Sequence, residues 1–190
     1  MKPVAAKPLP AGLLLARFQH YFAEMESCMH VGAYWALLHI IVSIPDICVS
    51  LESARGNSRT KLYINWCDRF LRNSWLSGAE RHRIRCMVLH RGNNIRPSES
   101  YLGFNFRQPC PDKQAVASDK GNLIPSLDVS ELAEEMESGV KFWIGDLEKL
   151  PLGPRATNTY RNIFSLVHVG AVKDSATADS FVSSADSIKK

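Results

Sequence analysis

From Leu132 to Leu150 the large apolar residues Leu132, Met136, Val140, Trp143, Leu147 and Leu150 step by 4, 4, 3, 4 and 3 positions. Only an α-helix gathers such a series on one face, because its turn of about 3.6 residues brings every third or fourth side chain round to the same stripe. A helix with one apolar face is not stable alone in water, so the chain must supply other elements to cover it. Asp128, with Glu131 three positions on, marks the start of this helix, and Pro151 and Pro154 stop it.

Matching stripes exist upstream. A first helix begins near Leu13, and from about Met25 to Ser43 the residues Met29, Ala33, Ala36, Leu37, Ile40 and Ile41 recur at helical spacing. Ile44-Pro45 interrupts that run. A residue before proline is pushed out of the α region, so the chain is expected to bend there, with Pro45 opening a further helix, "PDICVSLES". Residues 59–72 set Leu62, Trp66 and Phe70 one turn apart beside Tyr63 and Cys67, and that helix should end near Asn73. Ser77 and Glu80 form an S-x-x-E capping box, which starts another helix at Ser77. It should run to about Arg91, with Gly92 as its left-handed terminator.

Beyond it the period changes. Leu102, Phe104 and Phe106 alternate with Tyr101, Gly103 and Asn105, as in a strand, and "LIPSL" is the expected partner strand after a long loop. "YRNIFSLVHVGAV" fits either a strand or a short helix. Residues 174–190 are rich in Ser, Ala and Asp and read as a flexible tail. The expected architecture is mainly α: one domain over residues 1–173, a helical bundle with a small β-hairpin insertion within 95–127 and a long C-terminal amphipathic helix over 128–150.

With 45% hydrophobic and 22% charged residues in 190, the chain has the composition of a single soluble domain. Such a length buries roughly 70% of the unfolded surface, so neither a disulfide nor a structural metal is required for stability. Five cysteines, at 28, 48, 67, 86 and 110, form no C-x-x-C pair, and their odd number points to a reducing compartment. The longest apolar run, "VGAYWALLHIIVSI", is shorter than the about 20 residues of a membrane span and carries His39 and Ser43. Two prolines and a short apolar patch make the N-terminus a poor signal peptide, so a cytoplasmic location without membrane association is expected. No glycine-rich phosphate loop, G-x-S-x-G elbow or H-E-x-x-H occurs. His82 with Cys86, and Cys28 with His30, lack a second ligand pair, and neither cofactor nor metal is expected.

The net charge is +4, but its distribution says more than its size. Between Arg69 and Arg96 there are seven arginines, no lysine, and Glu80 as the only acid. Guanidinium groups match phosphate oxygens two at a time, so this segment either presents a phosphate-attracting surface or pairs with acids elsewhere in the chain.

Within it, "SGAERHRIRCMVLHRG" places four residues between Arg85 and His90, "R-CMVL-H". The segment resembles the signature of the HEPN domains, all-helical and often dimeric, in which an Arg, four to six residues and a His lie on a late helix. Residues 25–92 carry the resemblance, and "SIPDIC", "YINWCDRFL" and the "LSG" segment also look like a group of uncharacterised bacterial proteins. Many HEPN domains are metal-independent ribonucleases. The resemblance therefore implies an RNA endonuclease of toxin or defence type, a homodimer, possible RNA substrates, and a possible protein antitoxin or regulator. A non-catalytic HEPN-like module for dimerisation, or for binding RNA or protein, is the alternative. Two further pairs fit the pattern, Arg83 with His90 and Arg161 with His168. The residue after the arginine, usually polar in the family, is Cys86, Ile84 and Asn162 in the three cases.

Helical geometry constrains how Arg85 and His90 act. They lie about 140° apart round the axis and about 7.5 Å along it, too far to form a tight pair by themselves. Either the long arginine reaches round, or a second copy completes the site across a two-fold interface, as the resemblance implies. In the catalytic reading His90 is the acid or base, its unperturbed pKa of about 6.5 suiting that role. Arg85 stabilises the developing phosphorane, and Arg81, Arg83 and Arg91 hold phosphate.

Overall fold

The computed structural model describes residues 12–71, 76–90, 105–107, 116–117, 123–124, 126–149 and 153–166. Its helices are α1 (Leu13–His30), α2 (Tyr34–Glu52), α3 (Thr60–Phe70), α4 (Gly78–His90), α5 (Val129–Lys149) and α6 (Pro154–Asn162), the last continued by a 3-10 turn, Ile163–Ser165. The chain is mainly α, as the apolar periodicity requires.

α2 is the hub, packing against α1, α3, α4, α5 and α6. Its composition explains its burial: Leu37, Leu38, Ile41, Val42, Ile44, Cys48, Val49 and Leu51 are all buried. α5 lies across it with the expected stripe inward, since Leu132, Met136, Val140, Trp143 and Leu147 are buried. Trp143 stacks edge-on to Phe18 of α1 and to Trp66 of α3, at centroid distances of 5.6 and 6.4 Å. α2 is long and apolar enough to cross a membrane, but half of its span is buried inside the protein.

The break between the first two helices differs from the sequence expectation. Pro45 neither bends the chain into a new helix nor ends one; it sits inside α2. A proline there lacks the N–H for the carbonyl of Ile41 and costs about 3 kcal/mol in an isolated helix. Burial of the apolar side chains on either side of it offsets that cost. The break falls instead at Gly32, whose φ of 73° is left-handed. Gly32 N–H donates to Met29 O at 3.2 Å and Ala33 N–H to Cys28 O at 2.8 Å, the two bonds of a Schellman terminator.

In α3 the buried stripe is Tyr63, Trp66, Cys67 and Phe70, whereas Leu62 is 43% exposed. The helix ends at Phe70, earlier than the hydrophobic pattern suggested. α5 begins as expected at Asp128, whose Oδ1 accepts the N–H of Ser130 at 2.9 Å and its hydroxyl at 2.5 Å. Of the ambiguous C-terminal segment, Tyr160–Asn162 are the last turn of α6, which starts at Pro154, and Ile163–Ser165 form the 3-10 turn; residues 167–172 lie outside the described residues. Asn158 donates to Glu52 O, and Asn162 to Leu51 O and Ser53 O, so α6 satisfies the orphan carbonyls at the end of α2.

The strands also depart from expectation. β1 (Asn105–Arg107) pairs with β4 (Ser126–Asp128) in parallel, Phe106 opposite Leu127, rather than as the two arms of a hairpin. Parallel strands need a long crossover, and the stretch of sequence between the two, 108–125, is long enough for one. Within that crossover β2 (Val116–Ala117) and β3 (Leu123–Ile124) pair antiparallel. The alternating positions 101–104, the terminator Gly92 and the tail at 174–190 lie outside the described residues.

Candidate active site

α4 is fixed at its start by two sets of bonds. Glu80 Oε2 accepts the backbone N–H of Ser77 at 2.7 Å, and Ser77 Oγ accepts the N–H of Glu80 at 3.3 Å, the reciprocal capping box read from the sequence. Asp68 of α3 accepts the N–H of Gly78 at 2.6 Å. Ile84, Met87 and Val88 then face the core, which turns His82, Arg85 and Cys86 to a half-buried face and leaves His90 exposed.

Arg85 joins three residues into a chain of contacts. Its Nε donates to Oδ2 of Asp46 on α2 at 2.8 Å. One of its terminal nitrogens meets Nε2 of His90 at 3.0 Å. The separation of about 140° round the helix is therefore bridged within one chain by the length of the arginine, and no second copy is needed to bring the two groups together. Burial works against the charge on Arg85, but the hydrogen bond and charge of Asp46, with a smaller contribution from Cys86, raise its pKa above the ordinary value. A guanidinium has no acceptor, so the nitrogen of His90 that meets it carries the lone pair and the ring proton sits on Nδ1.

Around this chain stand further titratable groups. The ring of His82 lies edge-on to Tyr63 of α3, with centroids 5.4 Å apart. Burial lowers the pKa of His82, the charge of Arg85 lowers it further, and Asp46 opposes the shift. Tyr63 is fully buried, donates to Val42 O at 3.2 Å, and has its pKa pushed well up by burial. Cys86 Sγ is 3.9 Å from both ring nitrogens of His82, a contact without direction. Among the described residues no three His, Cys, Asp or Glu side chains converge as a metal-binding group. The core thiols are a different matter from Cys86: burial pushes Cys67 up to about 12 and Cys48 well above its ordinary range.

The expected phosphate-holding arginines do not stay together. Arg81 is a correction, because it is only 7% exposed and faces inward. Its guanidinium donates to Glu135 Oε1 and Oε2 of α5 at 2.8 and 2.7 Å, and to Leu76 O at 3.4 Å, so it is an internal ion pair and not a surface for phosphate. Arg83 is half-buried, and no ion pair engages it among the described residues. Arg91 lies outside the described residues, as does His168, the partner of Arg161 in the third match. The alternative reading of the arginine cluster, pairing with acids elsewhere, holds for Arg69 with Asp146, Arg81 with Glu135 and Arg85 with Asp46.

Asp46, in the segment expected to open a helix at Pro45, was not among the expected site residues. Its signal was present: an acid inside the apolar stretch "IVSIPDICVSL" must find a partner on folding. What the sequence could not say was which of the arginines it finds. A groove of about 610 Å³ between α1 and α5 is lined by residues remote from Arg85 and His90. Among the described residues the site lies where α2 and α4 meet, with His90 on the exposed last turn of α4. No family model matches this chain, and no curated protein or solved structure does so either.

Proposed function

We propose that the protein is a metal-independent RNA endonuclease of the toxin or defence kind, with Arg85 and His90 as its catalytic residues. The observation that carries this reading is the contact of Arg85 with His90 Nε2 at 3.0 Å, on an exposed face and with the arginine anchored by Asp46. A histidine beside a permanently charged arginine offers the proton exchange and the positive charge that cleavage by a 2′-hydroxyl needs. The 2′-oxygen attacks the adjacent phosphorus, and its proton passes to a base. The 5′-oxygen leaves with a proton from an acid, and the guanidinium balances the charge on the phosphorane. His90 is the group able to exchange those protons, and Arg85 is the group able to hold the phosphoryl oxygens. Dependence on the 2′-hydroxyl makes RNA the substrate class. The helical bundle and the Arg, four residues, His spacing agree with the HEPN resemblance.

A second reading is a non-catalytic HEPN-like module that dimerises or binds RNA or a protein, such as an antitoxin. It is favoured by the inward turn of Arg81, which leaves a smaller cationic surface than the sequence suggests. Exposed Val31, Trp35 and Phe164 offer apolar surface to such a partner.

The deciding experiment is cleavage of labelled total RNA in excess EDTA by the wild type, Arg85→Ala and His90→Ala, with thermal melts alongside. Cleavage that survives EDTA and disappears in both folded variants supports the ribonuclease. Intact RNA with the wild type overturns it and leaves the binding module.

A further inference from the structure

The same contact that unites the site also blocks it. A base or acid works through a free lone pair or an N–H aimed at the substrate, and Nε2 of His90 is occupied by the guanidinium of Arg85. Nδ1 then carries the ring proton. Arg85 is likewise engaged, on Asp46 of α2 through Nε and on His90 through a terminal nitrogen.

The two contacts of Arg85 are unequal. Asp46 is a carboxylate whose side chain is as buried as that of Arg85, each 23% exposed, and its hydrogen bond is charge-assisted. His90 is a neutral acceptor on the exposed last turn of α4. A phosphodiester oxyanion outbids a neutral imidazole for a guanidinium N–H, because it offers a full negative charge and a geometry that takes two N–H groups at once. It does not outbid Asp46, which is itself charged and already in place. The other titratable groups near Arg85 are His82 and Cys86 on its own helix and Tyr63 on α3.

We infer that His90 is held masked in the resting protein and that a phosphate oxyanion unmasks it, replacing Nε2 on Arg85 while Asp46 keeps the arginine in place. The ligand class is a phosphate monoanion or dianion, or the phosphodiester of a nucleic acid backbone. This rests on the proposed Arg85 and His90 site but not on cleavage. Its consequence is that the catalytic group becomes free only when phosphate has arrived.

The test reads the tautomer of His90 by proton–nitrogen correlation in the isotope-labelled full chain at about pH 8, above the ordinary histidine pKa. Two probes are added separately: inorganic phosphate, and a short oligodeoxynucleotide, which lacks the 2′-hydroxyl and so is bound without being cleaved. In the ligand-free wild type His90 is expected almost wholly as the Nδ1–H form. Each probe should lower the ratio of Nδ1–H to Nε2–H by roughly tenfold, the worth of one hydrogen bond. Arg85→Ala should show the mixed tautomers of a free imidazole without a probe and no response to one; Arg85→Met, which fills the space of the arginine stem but has no N–H to donate, gives the same reading if the alanine variant melts. A mixed tautomer in the ligand-free wild type overturns the inference, and so does an unchanged tautomer at tens of millimolar phosphate. A response to phosphate without one to the oligonucleotide supports the oxyanion exchange while removing the nucleic acid as its source, and the ribonuclease reading falls independently if the RNA assay is blank.

Discussion

Asp46 Oδ2 and Arg85 Nε, 39 residues apart in sequence, meet at 2.8 Å and tie the middle of α2 to the middle of α4. The pair fixes the guanidinium from which the contact to His90 extends. Asp46→Asn keeps the shape and removes the charge, so Arg85 should lose its anchor while the helices stay packed. A partly buried ion pair of this kind contributes about 1 kcal/mol, and urea midpoints should show a loss of that size. In the proposed ribonuclease, RNA cleavage should fall more steeply than stability, since a misplaced arginine would no longer face the phosphorane. Equal cleavage rates in Asp46→Asn and the wild type would show that Asp46 is only a packing partner.

His82 gives the protein a pH dependence whose sign follows from its environment. Burial and Arg85 lower its pKa in the folded state, so at moderately acid pH the unfolded chain binds a proton there that the folded chain refuses. The contribution of His82 to stability is therefore complete above its unfolded pKa of about 6.5 and declines as the pH falls from there through the lower, folded value. Between about pH 7.5 and about pH 5.5 the wild type should lose more thermal stability than His82→Gln, which has no proton to bind. Parallel melts of the two proteins at both pH values check this, and identical losses would exclude His82 as the cause.

Two glycines in helices should respond to alanine with opposite signs. A Cβ on Gly78 would overlap the backbone oxygen of Ile64 and meet the carboxylate of Asp68 at 2.9 Å. A backbone carbonyl cannot swing aside as a side chain can, so α4 must lift off α3. Gly78→Ala should cost about 1–3 kcal/mol or more, as overpacking does. Gly145, in α5, has nothing within 4 Å of the same added atom. Gly145→Ala should stabilise by about 0.5–1 kcal/mol, because alanine loses less backbone freedom on entering a helix. Denaturant unfolding of the two variants beside the wild type reads both signs.

How much of this was legible in the sequence depended on whether the deciding interaction was local. The stripe Leu132, Met136, Val140, Trp143, Leu147 and the Ser77–Glu80 cap were legible, because each is set within a few turns of one helix. Pro45 misled for the reason that its cost is local while the burial that offsets it comes from five other helices. Gly32 was missed although glycine is the residue most often found at a left-handed terminator, since the apolar spacing continues across it. In the site, the Arg85 and His90 spacing was visible, yet rigid helix geometry alone placed the two groups too far apart. The reach of the arginine closes that gap, and its anchor, Asp46, belongs to another helix. Arg81 and Arg85 look alike in sequence; α5 supplies an acid to one and α2 to the other, and only the fold decides that the first is buried.

The Arg81 and Glu135 pair is the most buried ion pair among the described residues, with side chains 7% and 11% exposed. Removing water from two charges is costly, and their attraction and hydrogen bonds return most of that cost only while both remain. Glu135→Gln therefore leaves a buried guanidinium without a counter-charge, and it should destabilise the protein by about 3–5 kcal/mol. Arg81→Met alone strands the carboxylate and should cost a similar amount. The double variant Arg81→Met with Glu135→Leu fills the same space with apolar groups, beside a core cavity of about 20 Å³ lined by Leu38, Ile84 and Met136. It should recover most of the loss, giving a double-mutant coupling of several kcal/mol in urea unfolding. RNA cleavage by the folded double variant should match that of the wild type, because Arg81 turns away from the face that carries His90. A loss of cleavage in a double variant as stable as the wild type would return Arg81 to the phosphate surface from which its burial removes it.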